Sequence, residues 1–181
     1  MDPTRTRMIM VSGPIASGKS TIARRAAVPA RVAGWSVVLT DLGTVAEMAL
    51  PSLADWEWAH RAHAALVGCW LRSGIDLIID EGTCNRHEVD MILNQVPDGT
   101  EVRHVVLVAD YEHSLARAQG DASRGISRDP QFLRADHHRF QLELSRLPCD
   151  LLLTVEGMGV EELSQQILTL LDGPELPGRT A

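Results

Sequence analysis

The sequence predicts an α/β fold, a single domain with a five-stranded, mainly parallel sheet and helices on both faces. Three observations carry that expectation. Short aliphatic runs alternate with stretches of helical periodicity along the chain, the pattern of a parallel sheet wrapped by helices. The runs are continuous rather than interleaved with polar residues, as strands buried on both faces require. Hydrophobic residues make up 45% of the sequence but aromatics only 4%, so aliphatic side chains must fill the core. A chain of 181 residues is the size of one domain.

The elements read in order. Met8 to Ser12 is an apolar run ending at glycine, a first strand. Lys19 to Ala27 is a helix with Ile22 and Ala26 on one face, expected to close before Pro29. Trp35 to Thr40 is a second strand ending at Asp41. The helical region after it places Leu53, Trp56, His60, His63 and Val67 on one face. Ile75 to Ile79 is a third strand running into Asp80 and Glu81. Arg86 to Gln95 reads as helix, and Pro97-Asp98-Gly99 as a turn.

Val102 to Ala109 is the fourth strand, followed by a helix to about Gln119. Gly120 to Pro130 is polar, contains glycine and arginine, and reads as a mobile loop. Gln131 to Leu147 is helical, Asp150 to Val155 is the last strand, and Val160 to Leu171 the closing helix. The domain therefore spans 1–172, with 173–181 expected as a flexible tail. No internal repeat and no further domain boundary is visible.

The segment Gly13-Pro14-Ile15-Ala16-Ser17-Gly18-Lys19-Ser20 fits GxxxxGK(S/T), with a strand before and a helix after, as a phosphate-binding loop demands. Gly13 and Gly18 allow the tight turn and the close approach of N–H groups to phosphates. The helix that begins near Lys19 and continues through Thr21 aims its positive end at the same anion. Lys19 is expected on the β- and γ-phosphates, and the Ser20 hydroxyl on Mg²⁺.

In an open parallel sheet, ligands bind beyond the carboxyl ends of the strands, which puts Asp41, Asp80 and Glu81 on the rim of that loop. Asp41 is the candidate base for an attacking hydroxyl. Asp80, which closes an apolar strand, is the candidate Mg²⁺ holder, and Glu81 is read as orienting the acceptor or the metal shell. Arg117, Arg124 and Arg128, in and just before the polar loop, are candidates to close over a γ-phosphate with a bidentate fork. On the acceptor side, Trp56 is read as packing and Trp58 as facing a ligand, with Asn85 and Arg86 placed to touch an acceptor hydroxyl. His60 and His63 lack a third metal ligand.

A formal net charge of −7 argues against general affinity for DNA or RNA. Cys69, Cys84 and Cys149 form no CxxC pair and no metal spacing, and suit a reducing cytoplasm. No apolar run is long enough for a membrane helix, and Met1 to Arg7 has no signal-peptide core.

With these residues in hand, the chain resembles the small-molecule kinases of the P-loop superfamily over residues 8 to 172. It is most similar to the chloramphenicol phosphotransferase-like group and more remotely to shikimate and gluconate kinases. The resemblance rests on Gly13 to Ser20, on VVLTDLGTVAEMALP with Asp41, on LIIDEG with Asp80, and on the loop around SRGISR. It implies ATP and Mg²⁺, Asp41 as base, and closure of the 42–70 segment and the arginine loop over the substrates. The expected activity is γ-phosphate transfer to a hydroxyl of a small molecule, an antibiotic or hydroxylated metabolite. A nucleoside, nucleotide or nucleotide-sugar kinase, or a nucleotide-binding switch without an acceptor, are the alternatives. Oligomeric state is not legible.

Overall fold

Arg7–Ser12 forms strand β1, and its aliphatic side chains from Met8 to Val11 are completely buried. That burial is possible because β1 is paired in parallel on both sides, with β3 (Leu77–Glu81) and with β4 (Glu101–Val108). Strand β2 (Val37–Asp41) pairs outside β3, and β5 (Leu151–Thr154) outside β4. All the pairings are parallel, in the order β2-β3-β1-β4-β5. This architecture is that of a computed structural model, which describes residues 6–49 and 55–171. Leu53 and the proposed tail at 173–181 lie outside the described residues.

Strand alternation splits the core in two. Ile9, Val11, Leu77, Ile79, Val105 and Leu107 face helices α1 (Lys19–Val32) and α7 (Val160–Thr169). Met8, Met10, Ile78 and Val106 face α3 (Trp56–Leu71), α4 (Arg86–Leu93) and α6 (Pro130–Glu143). Each fully buried Ile or Leu contributes about 1.5–3 kcal/mol relative to exposure, so the sheet is anchored from both sides. A short helix α2 (Leu42–Glu47) follows β2, and α5 (Tyr111–Gln119) follows β4.

Three of the boundaries that differ from expectation have a plain physical reason. α1 passes through Pro29 to Val32. Proline removes the bond to the carbonyl of Arg25, but Arg25 and Pro29 are both exposed, so water can take over that acceptor. The polar segment after α5 is not wholly irregular: Gly125–Arg128 winds into a 3₁₀ turn packed on α5 and α6. α6 starts at Pro130, where a missing N–H costs nothing, and Asp129 caps it by accepting from the N–H groups of Gln131 and Phe132.

Candidate active site

The phosphate-binding loop hangs between the end of β1 and the start of α1, and its shape follows from its glycines. A Cβ on Gly13 would lie 3.0 Å from the Leu107 carbonyl oxygen. Gly18 has φ 102° and a Cβ there would lie 2.7 Å from the Arg117 guanidinium. Lys19 Nζ donates to the carbonyls of Gly13 (2.9 Å) and Pro14 (3.0 Å), so its ammonium arches over the loop. Arg117 Nη1 donates to the Ser17 carbonyl at 3.3 Å. Burial, then the charge of Arg124, lowers the Arg117 pKa. Thr21 is exposed on the first turn of α1.

Beneath the loop runs a buried polar chain. His104 Nε2 lies 2.7 Å from Ser12 Oγ, which is 2.6 Å from Thr83 Oγ1. The Thr83 carbonyl in turn accepts from the Gly13 N–H at 3.4 Å. The loop's first glycine is thus tied to β4 and β3 as well as to its own strand.

Asp41 and Glu81 are paired in register at the ends of adjacent strands, and both line a cleft of about 600 Å³ with Lys19 and Ser20. Asp41 also caps α2: Oδ1 accepts from the Gly43 N–H at 2.7 Å, and the Thr44 hydroxyl approaches Oδ2 at 3.3 Å. Glu81 is 5% exposed and shares the cleft with Ser20, while its Oε1 is buried without a hydrogen-bond partner. Burial raises the Glu81 pKa, Lys19 pulls it down, and the neighbouring Asp41 charge pushes it up again.

Asp80, the residue expected to hold the metal, does not line this cleft. Successive strand residues point to opposite faces, and Asp80 points away from α1 toward α3. There it accepts from the Thr40 hydroxyl at 2.7 Å and lies 2.9 Å from His63 Nε2. Burial lowers the His63 pKa, but Asp80, then Asp41 and Glu81, more than offset this, and the net shift is upward. Glu81, one residue on, takes the position facing Ser20.

Of the three arginines, Arg124 lines the cleft and pairs with Asp121 at 3.2 Å. Arg117 sits on the back of the loop at Ser17 and Gly18. Arg128, at the end of the 3₁₀ turn, is exposed and is not a cleft residue. Neither tryptophan stands as expected, since Trp56 is not buried and Trp58 does not line the cleft. Trp56, at the first turn of α3, is 52% exposed and lines the cleft, whereas Trp58 is 65% exposed on the outer face with Arg61 over its ring. Asn85 lines the cleft and caps α4 through the Glu88 N–H. Arg86 instead turns outward to Asp90, 2.8 Å away.

The side of the cleft built by α6 and α4 was not anticipated. α6 contributes Phe132, Asp136, Arg139, Phe140 and Glu143, and α4 contributes Glu88. Glu88 Oε1 lies 3.3 Å from His60 Nε2, and Oε2 accepts from the Cys84 N–H at 2.7 Å. The α6 residues recur at helical spacing, so a mixed polar and aromatic stripe is the signal that could have marked them.

With this geometry in view, the chain matches the AAA domain family over residues 8–146 and belongs to it. Solved structures of several kinases share its fold. The APS kinase of Mycobacterium tuberculosis, solved with AMPPNP and APS, aligns with TM-score 0.71 at 17% identity, covering 94% of this chain and 100% of that one. The shikimate kinase of Acinetobacter baumannii, solved with shikimate, gives 0.64 at 21% identity over 93% and 94%. The tunicamycin resistance protein of Deinococcus radiodurans gives 0.65 at 13% over 93% and 96%. No curated protein sequence matches the chain. Among the described residues, no helix is long and apolar enough to cross a membrane.

Proposed function

We propose that this protein is a kinase that transfers the γ-phosphate of ATP to a hydroxyl of a small molecule. The observation that carries the reading is the pairing of Asp41 and Glu81 across adjacent strand ends, both facing one cleft with Lys19 and Ser20. Two carboxylates there divide two tasks of a phosphoryl transfer, one facing the metal and one free to take the proton of an attacking hydroxyl.

In this reading the loop amides and Lys19 hold the triphosphate, and Arg124, lining the same cleft, balances charge on the transferred group. The acceptor oxygen attacks the γ-phosphorus as its proton passes to an Asp41 carboxylate oxygen. The bond to the β-phosphate oxygen breaks and ADP leaves. The N–H of Gly43 keeps the carboxylate aimed. Glu81, with its unpartnered buried Oε1, and the Ser20 hydroxyl beside it are hard oxygen donors that suit Mg²⁺ and would hold it. When bound, the ion would neutralise phosphate charge.

The acceptor wall combines rings (Trp56, Phe132, Phe140) with Asp41, Glu88, Asp136 and Glu143 against Arg139, the cleft's other cations, Lys19 and Arg124, being assigned to the triphosphate. That balance favours a hydroxylated acceptor with an apolar ring and no carboxylate or phosphate of its own, an antibiotic or an uncharged metabolite.

The test is a screen of hydroxylated antibiotics, sugars and nucleosides with ATP and Mg²⁺, reading ADP and phosphorylated product. With an acceptor found, Asp41→Asn should lower transfer by roughly 10²–10⁴-fold. Intact transfer in that variant would remove Asp41 from the mechanism. Hydrolysis without product across the whole panel would favour a nucleotide-operated switch, and a product only with nucleosides would favour a nucleoside kinase.

A further inference from the structure

Ala16 is the one described residue other than glycine with a positive φ, at 63°. It stands in the middle of the phosphate-binding loop, where a Cβ makes the left-handed conformation costly. Such a conformation persists only when the surroundings determine it. Here the peptide planes on both sides of Ala16 are held. The plane before it carries the Ile15 carbonyl, which lies 3.3 Å from His137 Nε2. The plane after it carries the Ser17 N–H, which donates to the Pro14 carbonyl at 3.2 Å. Ile15 is fixed at its other end too, since its N–H donates to Asp136 Oδ2 at 2.8 Å.

Asp136 and His137 are adjacent on α6 and nearly buried, at 4% and 5% exposure. Burial lowers the His137 pKa, so the ring is neutral near pH 7, and facing a carbonyl its Nε2 must be the protonated nitrogen. Tyr111 meets the same ring edge to face. Arg139 Nη2, 3.6 Å from Asp136 Oδ1, balances the carboxylate. The Ala16 methyl packs against Ala118 and Leu133, which brings α5 into the same unit.

We infer that α6 clamps the phosphate-binding loop, with Asp136 and His137 as positioning residues that hold Ala16 in its left-handed conformation and thereby align the loop amides for the triphosphate. The same helix lines the acceptor side of the cleft through Arg139, Phe140 and Glu143. One rigid element therefore sets the donor loop and presents the acceptor wall. The inference rests on the nucleotide reading of the loop given above, but not on any acceptor.

The test measures Mg·ATP binding by calorimetry, with no acceptor present, in a cycle of Asp136→Ala and Ala16→Gly. Thermal unfolding of each variant checks the fold. Asp136→Ala should weaken binding about tenfold when made alone and about threefold or less when made on top of Ala16→Gly, because glycine needs no clamp to stay left-handed. Asp136→Asn, which keeps an oxygen acceptor for the Ile15 N–H, should remain within about threefold of wild type.

Equal losses in the two backgrounds would overturn the clamp, as would tighter binding in Asp136→Ala, which would make the carboxylate a repeller of phosphate. Should Asp136→Ala give no cooperative unfolding transition, His137→Leu with and without Ala16→Gly carries the same comparison. If the wild type bound no Mg·ATP, the nucleotide reading would fail by itself. The clamp is then read from hydrogen exchange in the nucleotide-free protein. Faster exchange of the Ser17 and Gly18 amides in Asp136→Ala would support it, and unchanged exchange would sink it.

Discussion

Replacing His104 with Gln should flatten the acid limb of the protein's stability profile. His104 is 2% exposed, and burial, only partly countered by Asp150, pushes its pKa down to about 4. In the unfolded chain it titrates near 6.5. Above pH 6.5 it is neutral in both states and costs nothing. As pH falls, the unfolded chain takes up a proton that the folded protein refuses until about pH 4, so stability is lost across that window. At 1.36 kcal/mol per pKa unit, the loss is about 2.5 kcal/mol by pH 4.5. Gln can still hydrogen-bond Ser12 but does not titrate. Urea unfolding followed by tryptophan fluorescence at pH 7.5 and 4.5 gives the comparison. The variant should be less stable than wild type at pH 7.5, and the gap should narrow or reverse by about that amount at pH 4.5. A gap that is the same at both pH values would show that His104 is not the buried titrating group.

His63 should behave in the opposite sense. Its folded pKa is raised, so its pairing with Asp80 contributes fully below about pH 6.5 and is lost as pH climbs through the folded value. His63→Leu strands a buried carboxylate and should cost about 3–5 kcal/mol at pH 6, measured by denaturant unfolding, and distinctly less at pH 9. Arg124→Ala should reduce phosphoryl transfer by roughly 10²-fold or more, whereas Arg128→Ala should stay within about twofold, as steady-state kinetics with a found acceptor would show. Trp56→Ala should raise the acceptor KM about tenfold with the ATP KM little changed, and Trp58→Ala should alter neither.

Much of this could be read from residue order. The phosphate-binding loop is legible because its chemistry needs fixed residues at fixed spacing, and Asp41 because an apolar run ends there. What could not be read was orientation. The run Leu77 to Glu81 ends in two carboxylates, and sequence alone does not say which one faces the loop. The parity is decided by how β3 is aligned with β1, where Val11 sits beside Glu81 and Met10 beside Asp80. The same problem misplaced Trp56 and Trp58. They fall on different sides of a helix whose start is set by the Asp55 cap, and the side that meets the cleft is chosen by how the helix sits on the sheet. The α6 wall escaped because its residues gain meaning only when the helix is laid across the cleft. Asp136 has no motif, and its partner is a backbone N–H more than a hundred positions away.

The central place of β1 also bears on how the chain is made. β1 leaves the ribosome before either of its partners, since Arg7 is aligned with Leu77 on one flank and Glu101 on the other. Until β4 has been synthesised, the nascent chain carries a strand of four fully apolar residues with an open backbone edge, a template for pairing with other chains. Fragments released before Val108 should therefore aggregate rather than fold. A peptide holding only Gly13 to Ser20 lacks Thr83, Asp136 and His137, the groups that give the loop its shape. The consensus for gripping a triphosphate is written within one short segment, but the grip is assembled from parts spread over most of the chain.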